Sequence, residues 1–214
     1  MNKLLVFDYD GTIHDTLRIY EPAFRRCNQH LIEAGFIKKN EISQKQISKW
    51  LGMNAKDMWL DFQPNLSEQI RESASEYIGK LMEEQVRNNN ARWYENADKV
   101  LDSLKNKGYQ MVILSNSKTK TGKLHYQYFG MEKWFDKWYD SESFNWASKE
   151  IIIQKIKSEH KKDIVVIGDR YLDIAAAKAI DAVSIGCAYG YGGMDELKNA
   201  DFIISDIEKL NEIL

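Results

Sequence analysis

Short apolar runs that stop at Gly, Asp or Ser recur along the chain and predict the strands of a buried sheet. Each run is continuous rather than alternating, which is typical of parallel strands that helices cover on both faces. The clear runs are residues 3–7, 110–114, 164–167 and 182–185, and a weaker run covers residues 138–140. The pattern therefore predicts a core of five strands.

Helical periodicity fills the intervals between these runs from residue 96 onward. Residues 96–107 repeat apolar positions on one face and end at Gly108, a common helix stop, and further helices are predicted over 149–160 and 171–180. Strands and helices that alternate in this way form a parallel sheet with right-handed crossovers. We therefore expect an α/β fold with a Rossmann-like parallel sheet core in three α/β/α layers.

Residues 16–90 follow a different pattern and predict an all-helical insert. They contain no convincing strand, and their apolar residues recur at helical spacing, as at Tyr20 and Phe24. Breaks at glycines and at one proline divide the segment into four predicted helices. The expected domains are a core of residues 1–15 and 91–214 and a helical domain of residues 16–90.

Composition and charge exclude several other classes of protein. Of the 214 residues, 43% are hydrophobic and 29% are charged, which excludes a fully disordered chain. The net charge of −2 gives no electrostatic reason to expect nucleic acid or an anionic membrane as a partner. No run reaches the roughly 18 apolar residues of a membrane span, and the two cysteines make no disulfide framework. We expect a cytoplasmic protein that binds neither nucleic acid nor membrane.

Acids, hydroxyls and one lysine stand where the predicted strands end. In an open parallel sheet these ends lie along one edge, where ligands bind. A crowd of carboxylates there repels itself unless a divalent cation such as Mg²⁺ neutralises it. One carboxylate can attack phosphorus while another, two residues away, protonates the leaving oxygen. The set therefore predicts phosphoryl transfer, and its members are Asp8, Asp10, Ser115, Asn116, Lys149, Asp169 and Asp173.

Four motifs, in the order found here, resemble those of haloacid dehalogenase (HAD) superfamily phosphatases. They are Asp8-Tyr9-Asp10-Gly11-Thr12, Leu114-Ser115-Asn116-Ser117, Lys149 at a helix start, and Gly168-Asp169-Arg170-Tyr171-Leu172-Asp173. The resemblance is strongest to the phosphoglycolate phosphatase-like branch, and the helical insert stands where those enzymes carry a cap domain. The dehalogenase branch lacks an acid at the position of Asp10, so the chain resembles the phosphatases rather than the dehalogenases.

The resemblance implies a role for each acid. Asp8 matches the nucleophile of the family, and Asp10 matches the general acid and base. A Mg²⁺ cofactor is implied as well, held by Asp8, by the main-chain carbonyl of Asp10 and by Asp169. Asp173 is expected either to reach the metal through water or to orient the lysine.

The resemblance also implies a phosphate-binding set. Ser115 supplies a hydroxyl, Asn116 supplies an amide beside it, and Lys149 neutralises the nucleophile and the phosphate. Lys155 and Lys157 are rivals for the lysine, but Lys149 lies at the start of the predicted helix, nearest the strand ends.

The implied reaction is Mg²⁺-dependent hydrolysis of a small soluble phosphomonoester through an aspartyl-phosphate, with phosphoglycolate as the substrate that the family branch suggests. Alternatives are a 5′-nucleotidase acting on nucleoside monophosphates and a phosphosugar mutase of the same superfamily. A non-catalytic binding module is the least favoured alternative, because it needs no nucleophile. Asn54 and Lys56, in the turn over residues 52–56 of the expected cap, are predicted to contact the substrate. The sequence leaves the oligomeric state open.

Overall fold

The computed structural model describes residues 3–214, and within them six strands alternate with helices. The strands are β1 Lys3–Phe7, β2 Gln110–Ser115, β3 Lys137–Asp140, β4 Asp163–Gly168, β5 Val183–Cys187 and β6 Phe202–Ile204. The α-helices are α1 Leu17–Glu33, α2 Gln44–Lys49, α3 Ala55–Phe62, α4 Glu68–Arg87, α5 Ala97–Asn106, α6 Thr119–Tyr128, α7 Lys149–His160, α8 Tyr171–Lys178, α9 Gly193–Leu197 and α10 Leu210–Ile213. Short 3₁₀ helices cover Met131–Lys133, Glu142–Phe144 and Ile207–Lys209.

All six strands run parallel in one sheet of order β3-β2-β1-β4-β5-β6. The chain therefore leaves the centre in one direction through β2 and β3 and in the other through β4, β5 and β6. The register aligns Phe7 of β1 with Ile113 of β2 and with Ile167 of β4. The residues that follow these three strands meet where the strand order reverses, which is the place where open α/β sheets bind ligands.

Both faces of the sheet are buried, which explains the continuous apolar runs. Along β1, Leu5 and Phe7 belong to one hydrophobic cluster, and Leu4 and Val6 belong to the other. Helix α5 contributes to the first cluster, and helices α7 and α8 contribute to the second. The predicted three-layer α/β/α core with a parallel sheet is therefore confirmed.

Strand β6 and helix α6 are among the elements of the core that were not predicted from the sequence. The sheet has six strands rather than the expected five, because β6 joins its edge beside β5. This strand is the apolar run Phe202-Ile203-Ile204, which has only three residues and is shorter than the runs that predicted β1, β2, β4 and β5. Helix α6 buries Gly122 and His125 in place of an aliphatic stripe, so helical periodicity does not reveal it.

The described residues divide into two compact units. One consists of residues 3–15 with Trp93–Leu214, and the other is Thr16–Arg92, which ends two residues after the expected insert. In the second unit, all helical, α1 packs against α4, and the ring of Phe24 lies 5.0 Å from Trp50 and 5.2 Å from Phe62. No helix in the described part of the chain is long and apolar enough to cross a membrane.

Candidate active site

Asp8 follows β1 directly and lies buried at the end of the strand. Its amide donates a hydrogen bond of 2.8 Å to the main chain of β4. The chain then turns tightly, because the carbonyl of Tyr9 accepts hydrogen bonds of 3.0 Å from the amides of both Ile13 and His14. Gly11 in this turn has a φ of +88°, which side chains of L-residues rarely allow. The turn carries the chain away from the sheet directly after the acid.

Lys149, the first residue of α7, places its ammonium between two acids. Its Nζ atom lies 2.6 Å from Oδ1 of Asp8 and 2.6 Å from Oδ1 of Asp173, and its side chain is buried. The two rival lysines on α7 bond elsewhere. Lys155 pairs with an acid one turn along the helix, and Lys157 donates to a main-chain carbonyl beyond α8. The structure therefore places Lys149, and neither rival, beside Asp8.

Two acids that follow β4 are held by hydrogen bonds. Asp169 accepts a bond of 2.7 Å from the amide of Tyr191 at Oδ2 and one of 3.4 Å from the hydroxyl of Thr12 at Oδ1. Asp173 accepts a bond of 3.0 Å from the amide of Arg170 at Oδ2 and so caps the first turn of α8. Because both carboxylates are buried and bonded, their positions are fixed.

Glycines allow the main chain to approach these acids closely. A Cβ atom on Gly11 or Gly190 would lie 2.4 or 2.3 Å from side-chain atoms of Asp169, and a Cβ on Gly168 would lie 2.2 Å from Cγ of Asp173. These separations are far below the contact distance of two carbon atoms. Only glycine fits at these three positions without moving the acids.

Asp8, Asp169 and Asp173 form one buried acid cluster, with a ligand oxygen of each within 4.8 Å of the others. Burial raises the pKa of Asp8 well above its usual range, although Lys149 opposes this effect. Burial, together with the charge of Asp173, raises the pKa of Asp169 to about 7. Burial by itself lowers the pKa of Lys149, but Asp173 and Asp8 outweigh it and raise that pKa. The lysine therefore stays charged, and the acids resist simultaneous ionisation.

The loop after β2 brings polar groups to the same end of the sheet. Because Phe7 aligns with Ile113, buried Ser115 stands one residue beyond the level of Asp8 on the neighbouring strand. Oδ1 of Asn116 accepts a hydrogen bond of 2.8 Å from the hydroxyl of Ser141, which ties this loop to the chain after β3. Within residues 3–214, the buried hydroxyl of Ser117 has no hydrogen-bond partner.

Comparison with known proteins gives this site a family. The family model described as haloacid dehalogenase-like hydrolase matches residues 5–187, which is most of the chain. The chain belongs to the haloacid dehalogenase-like hydrolase family. The resemblance that its motifs indicated is therefore confirmed.

Two relatives and one solved structure span nearly the whole length of this hydrolase. The phosphoglycolate phosphatase of Vibrio cholerae serotype O1 is 24% identical over 225 residues, which cover 99% of this chain and 96% of that protein. The pyrophosphatase PpaX of Listeria welshimeri serovar 6b is 22% identical, and the match covers 98% of this chain and 94% of that protein. The crystal structure of a predicted phosphatase from Clostridium acetobutylicum matches with a TM-score of 0.84 at 22% identity. The match covers 100% of this chain and 98% of that chain. These similarities extend over both units of the chain.

Asp10 of this hydrolase occupies a different position from the acid cluster. Among residues 3–214, its carboxylate is not part of the group that Asp8, Asp169 and Asp173 form. Its Oδ1 atom instead lies 3.5 Å from Nδ1 of His14, and its side chain is 30% exposed. The predicted metal ligand is the main-chain carbonyl of Asp10, which the position of its carboxylate does not test. That role stays a prediction.

Asn54 and Lys56 belong to the helical unit of the hydrolase. Asn54 caps α3, because its Oδ1 accepts a hydrogen bond of 2.9 Å from the amide of Asp57, and Lys56 is exposed in the first turn of that helix. The cap explains why Asn54 stands at this position. The contact of both residues with substrate stays a prediction.

Sequence reasoning missed the residues that hold the acids in place. Thr12 and the amide of Tyr191 bind Asp169, as described above. Arg170 is anchored by Glu196 of α9 through two bonds, Nε to Oε2 at 2.9 Å and Nη2 to Oε1 at 3.2 Å. The one sequence signal for this support was the glycine-rich stretch over residues 189–193, which allows the close approach to Asp169.

Proposed function

We propose that this hydrolase is a Mg²⁺-dependent phosphatase that hydrolyses a small soluble phosphomonoester through an aspartyl-phosphate on Asp8. The observation that carries the proposal is the ammonium of Lys149 between Asp8 and Asp173, with Asp169 in the same buried group. A non-catalytic binding module needs no nucleophile. A phosphoryl-transfer enzyme needs a nucleophile, a fixed cation and acids that hold a metal.

The acid cluster fits Mg²⁺ by the chemistry of its donors. Mg²⁺ prefers oxygen ligands, and Asp8 and Asp169 offer carboxylates within 4.8 Å of each other. If all three carboxylates of the cluster are ionised, the ammonium of Lys149 leaves two negative charges, which one divalent ion would balance. When bound, Mg²⁺ would neutralise this charge and polarise a phosphoryl oxygen. We assign Asp8, Asp169 and the carbonyl of Asp10 as ligands, and we assign Asp173 to orienting Lys149.

The reaction follows from the positions of the protein groups. Lys149 binds Oδ1 of Asp8, so the second carboxylate oxygen of Asp8 forms the bond to phosphorus. The bond from phosphorus to the ester oxygen then breaks, and Asp10 gives its proton to the leaving alkoxide. In the second half, Asp10 takes a proton from water, and that water attacks phosphorus. The bond to Asp8 breaks, and inorganic phosphate leaves.

The polar loop after β2 is proposed to bind the phosphoryl group. The hydroxyl of Ser115 and the amide of Asn116 would donate to its oxygens, where charge grows during transfer. The buried hydroxyl of Ser117, which has no hydrogen-bond partner within residues 3–214, supports a polar ligand at this loop.

The helical segment, residues 16–90, is proposed to act as the cap that selects the ester and controls access of water. A covalent phosphoenzyme must admit substrate, then exclude stray nucleophiles, then admit one water, and lids serve this purpose in many enzymes. Asn54 and Lys56 are the residues proposed to contact the part of the ester remote from phosphorus. The relative named phosphoglycolate phosphatase makes phosphoglycolate the first ester to test.

A panel of phosphate compounds, assayed with Mg²⁺ and with a chelator, tests the proposal. It contains phosphoglycolate, nucleoside 5′-monophosphates, β-glucose 1-phosphate and p-nitrophenyl phosphate, and also pyrophosphate because a second relative carries the name pyrophosphatase. We expect phosphate release only with Mg²⁺. Conversion of β-glucose 1-phosphate to glucose 6-phosphate, in place of phosphate release, would identify a mutase.

A matched pair of variants tests the covalent step. Asp8→Asn is nearly isosteric and should abolish turnover, because an amide oxygen cannot form the aspartyl-phosphate. Asp195→Asn makes the same charge change at an exposed position of α9 and should keep full activity. Radiolabelled phosphate should stay on acid-quenched wild type and be absent from Asp8→Asn. Turnover by Asp8→Asn close to that of the wild type would refute the mechanism.

A further inference from the structure

We infer that His14 is a positioning residue for Asp10 and holds its carboxyl group in the orientation that serves proton transfer. The inference rests on the role of Asp10 in the proposed function and adds a residue that neither the motifs nor the family match assigns. His14 is fully buried, and its Nδ1 atom lies 3.5 Å from Oδ1 of Asp10.

The turn after β1 brings the two residues together. The carbonyl of Tyr9 accepts hydrogen bonds from the amides of Ile13 and His14, and the amide of Gly11 donates to the carbonyl of His14 at 3.0 Å. The main chain thus makes one compact turn, in which residues four positions apart become neighbours. The position of His14 beside Asp10 is therefore fixed by the main chain.

Aromatic packing fixes the direction of the His14 ring. Tyr9 stacks on it, with centroids 5.1 Å apart and planes inclined by 9°, and His125 meets it edge to face at 4.9 Å. Tyr9 and His125 are themselves joined by a bond of 2.9 Å between the phenol and Nδ1. The ring of His14 is therefore enclosed and cannot turn freely.

The neighbouring segments are shaped to permit this packing. Trp138 of β3 lies 4.8 Å from the ring of Tyr9, and a Cβ atom on Gly122 of α6 would come within 2.6 Å of the Trp138 ring. A glycine is thus needed in α6 for the rings to close around His14. A phenylalanine at position 14 could keep the same stacked packing, so ring packing alone does not explain an imidazole there.

The contact assigns different tasks to the two carboxyl oxygens of Asp10. Oδ1 faces His14, and Oδ2 is then the atom that gives and takes the proton of the reacting oxygen. A carboxyl group that is only 30% exposed but rotates freely would spend less time in the productive orientation. Misplacing a catalytic group by about 1 Å can cost on the order of 10²-fold in rate, which sets the size of the expected effect.

Leaving-group dependence separates positioning of Asp10 from general damage to the fold. An alkoxide leaving group, as in phosphoglycolate or another alkyl phosphate, needs a proton from Asp10, whereas p-nitrophenolate departs without one. We therefore compare kcat on an alkyl ester with kcat on p-nitrophenyl phosphate, both with saturating Mg²⁺. His14→Phe keeps the stacked ring but loses the nitrogen, and it should lower kcat on the alkyl ester about 10–10²-fold with little change on the aryl ester.

Two polar variants identify which nitrogen matters. In His14→Asn the amide nitrogen is bonded to Cγ, as Nδ1 is in histidine, so this variant should recover most of the lost rate on the alkyl ester. His14→Gln places its nitrogen one bond further out and should not. His125→Phe removes the other buried imidazole but keeps an aromatic ring edge to face with His14, so it should leave the ratio of kcat on the two esters unchanged.

The outcomes separate failure of the inference from failure of the proposed function. Asp10→Asn should show the same selective loss on the alkyl ester as His14→Phe, and a larger one. If Asp10→Asn is selective but His14→Phe is not, or if His14→Phe lowers both esters equally, the inference is wrong and the proposed function stands. If Asp10→Asn itself shows no leaving-group selectivity, Asp10 is not the general acid, and both are wrong.

Discussion

Asp169 should make the metal-free protein less stable as the pH rises from 5 to 7. Its usual pKa is 3.8, and burial with the charge of Asp173 raises that pKa to about 7 in the folded chain. Between these values the folded chain holds a proton that the unfolded chain has released, so stability is present at low pH and is lost as the pH approaches 7. The slope for one proton is at most about 1.4 kcal/mol per pH unit and falls as the pH approaches the folded pKa, which gives about 2 kcal/mol between pH 5 and pH 7.

Urea or thermal unfolding in the presence of a chelator measures this effect. For a chain of this size, about 2 kcal/mol corresponds to a fall of roughly 4–8 °C in Tm. Asp169→Asn should remove the pH-dependent part, and its amide fits the site, because the oxygen can accept from the amide of Tyr191 while the nitrogen donates to the hydroxyl of Thr12. Asp195→Asn, exposed on α9, is the control with the same change of charge.

Mg²⁺ should replace the proton on the acid cluster. Added Mg²⁺ should therefore raise the Tm of the wild type more at pH 7.5 than at pH 5, and should do so much less for Asp169→Asn. If wild type and Asp169→Asn lose the same stability between pH 5 and pH 7.5, Asp169 does not bind a proton in the folded chain. The electrostatic account of the cluster would then be refuted.

Three further predictions concern other parts of the molecule. Lys149→Met should lower the free energy of unfolding by about 3–5 kcal/mol at pH 7.5, measured in urea, because it leaves the carboxylates of Asp8 and Asp173 unpaired; an equal loss at pH 4 would contradict this reason. In Gly168→Ala the new methyl would strike Asp173, so kcat should fall at least about 10-fold while the chain still folds; unchanged kcat would show that the acid can move without effect. Asn54→Ala should cost about 1 kcal/mol of stability through loss of the α3 cap, and Lys56→Ala should cost none. Both variants should raise KM for the preferred ester and leave kcat on p-nitrophenyl phosphate unchanged. If neither variant alters the ester profile, these residues do not belong to the substrate site.

The acids of the cluster could be predicted because their positions follow from local sequence. Asp8 and Asp169 directly follow buried strands, and parallel strands bring such residues to one edge whatever the rest of the chain does. Lys149 was predictable because a helix start faces the same edge. The location of these residues thus depends on strand and helix boundaries, which apolar runs mark well.

The support around the acids could not be predicted, because it depends on contacts between distant parts of the chain. The bond from the amide of Tyr191 to Asp169 leaves no trace in side-chain pattern, since any residue has an amide. The four histidines of the chain do not stand at the spacing of metal ligands, and the role inferred for His14 depends on ring packing with Tyr9 and His125. Strand β6, at the edge of the sheet, was missed because its apolar run has only three residues.

The central position of β1 has a consequence for how the chain folds. Leu4 of β1 pairs with Gln110 of β2, a residue 106 positions later, so β1 pairs with a strand that lies beyond the midpoint of the chain. The cost of closing a loop grows only slowly with its length, but long-range pairing slows folding. The segments that immediately precede and follow the helical unit lie side by side in the folded chain. His14 forms a β-bridge with Trp93, and the amide of Tyr94 donates a hydrogen bond of 2.9 Å to the carbonyl of Ile13. If the helical unit folds first, from contacts within itself, it would bring these two segments together. Strand β1 would then pair with β2 over a short effective distance rather than across a loop of about a hundred residues.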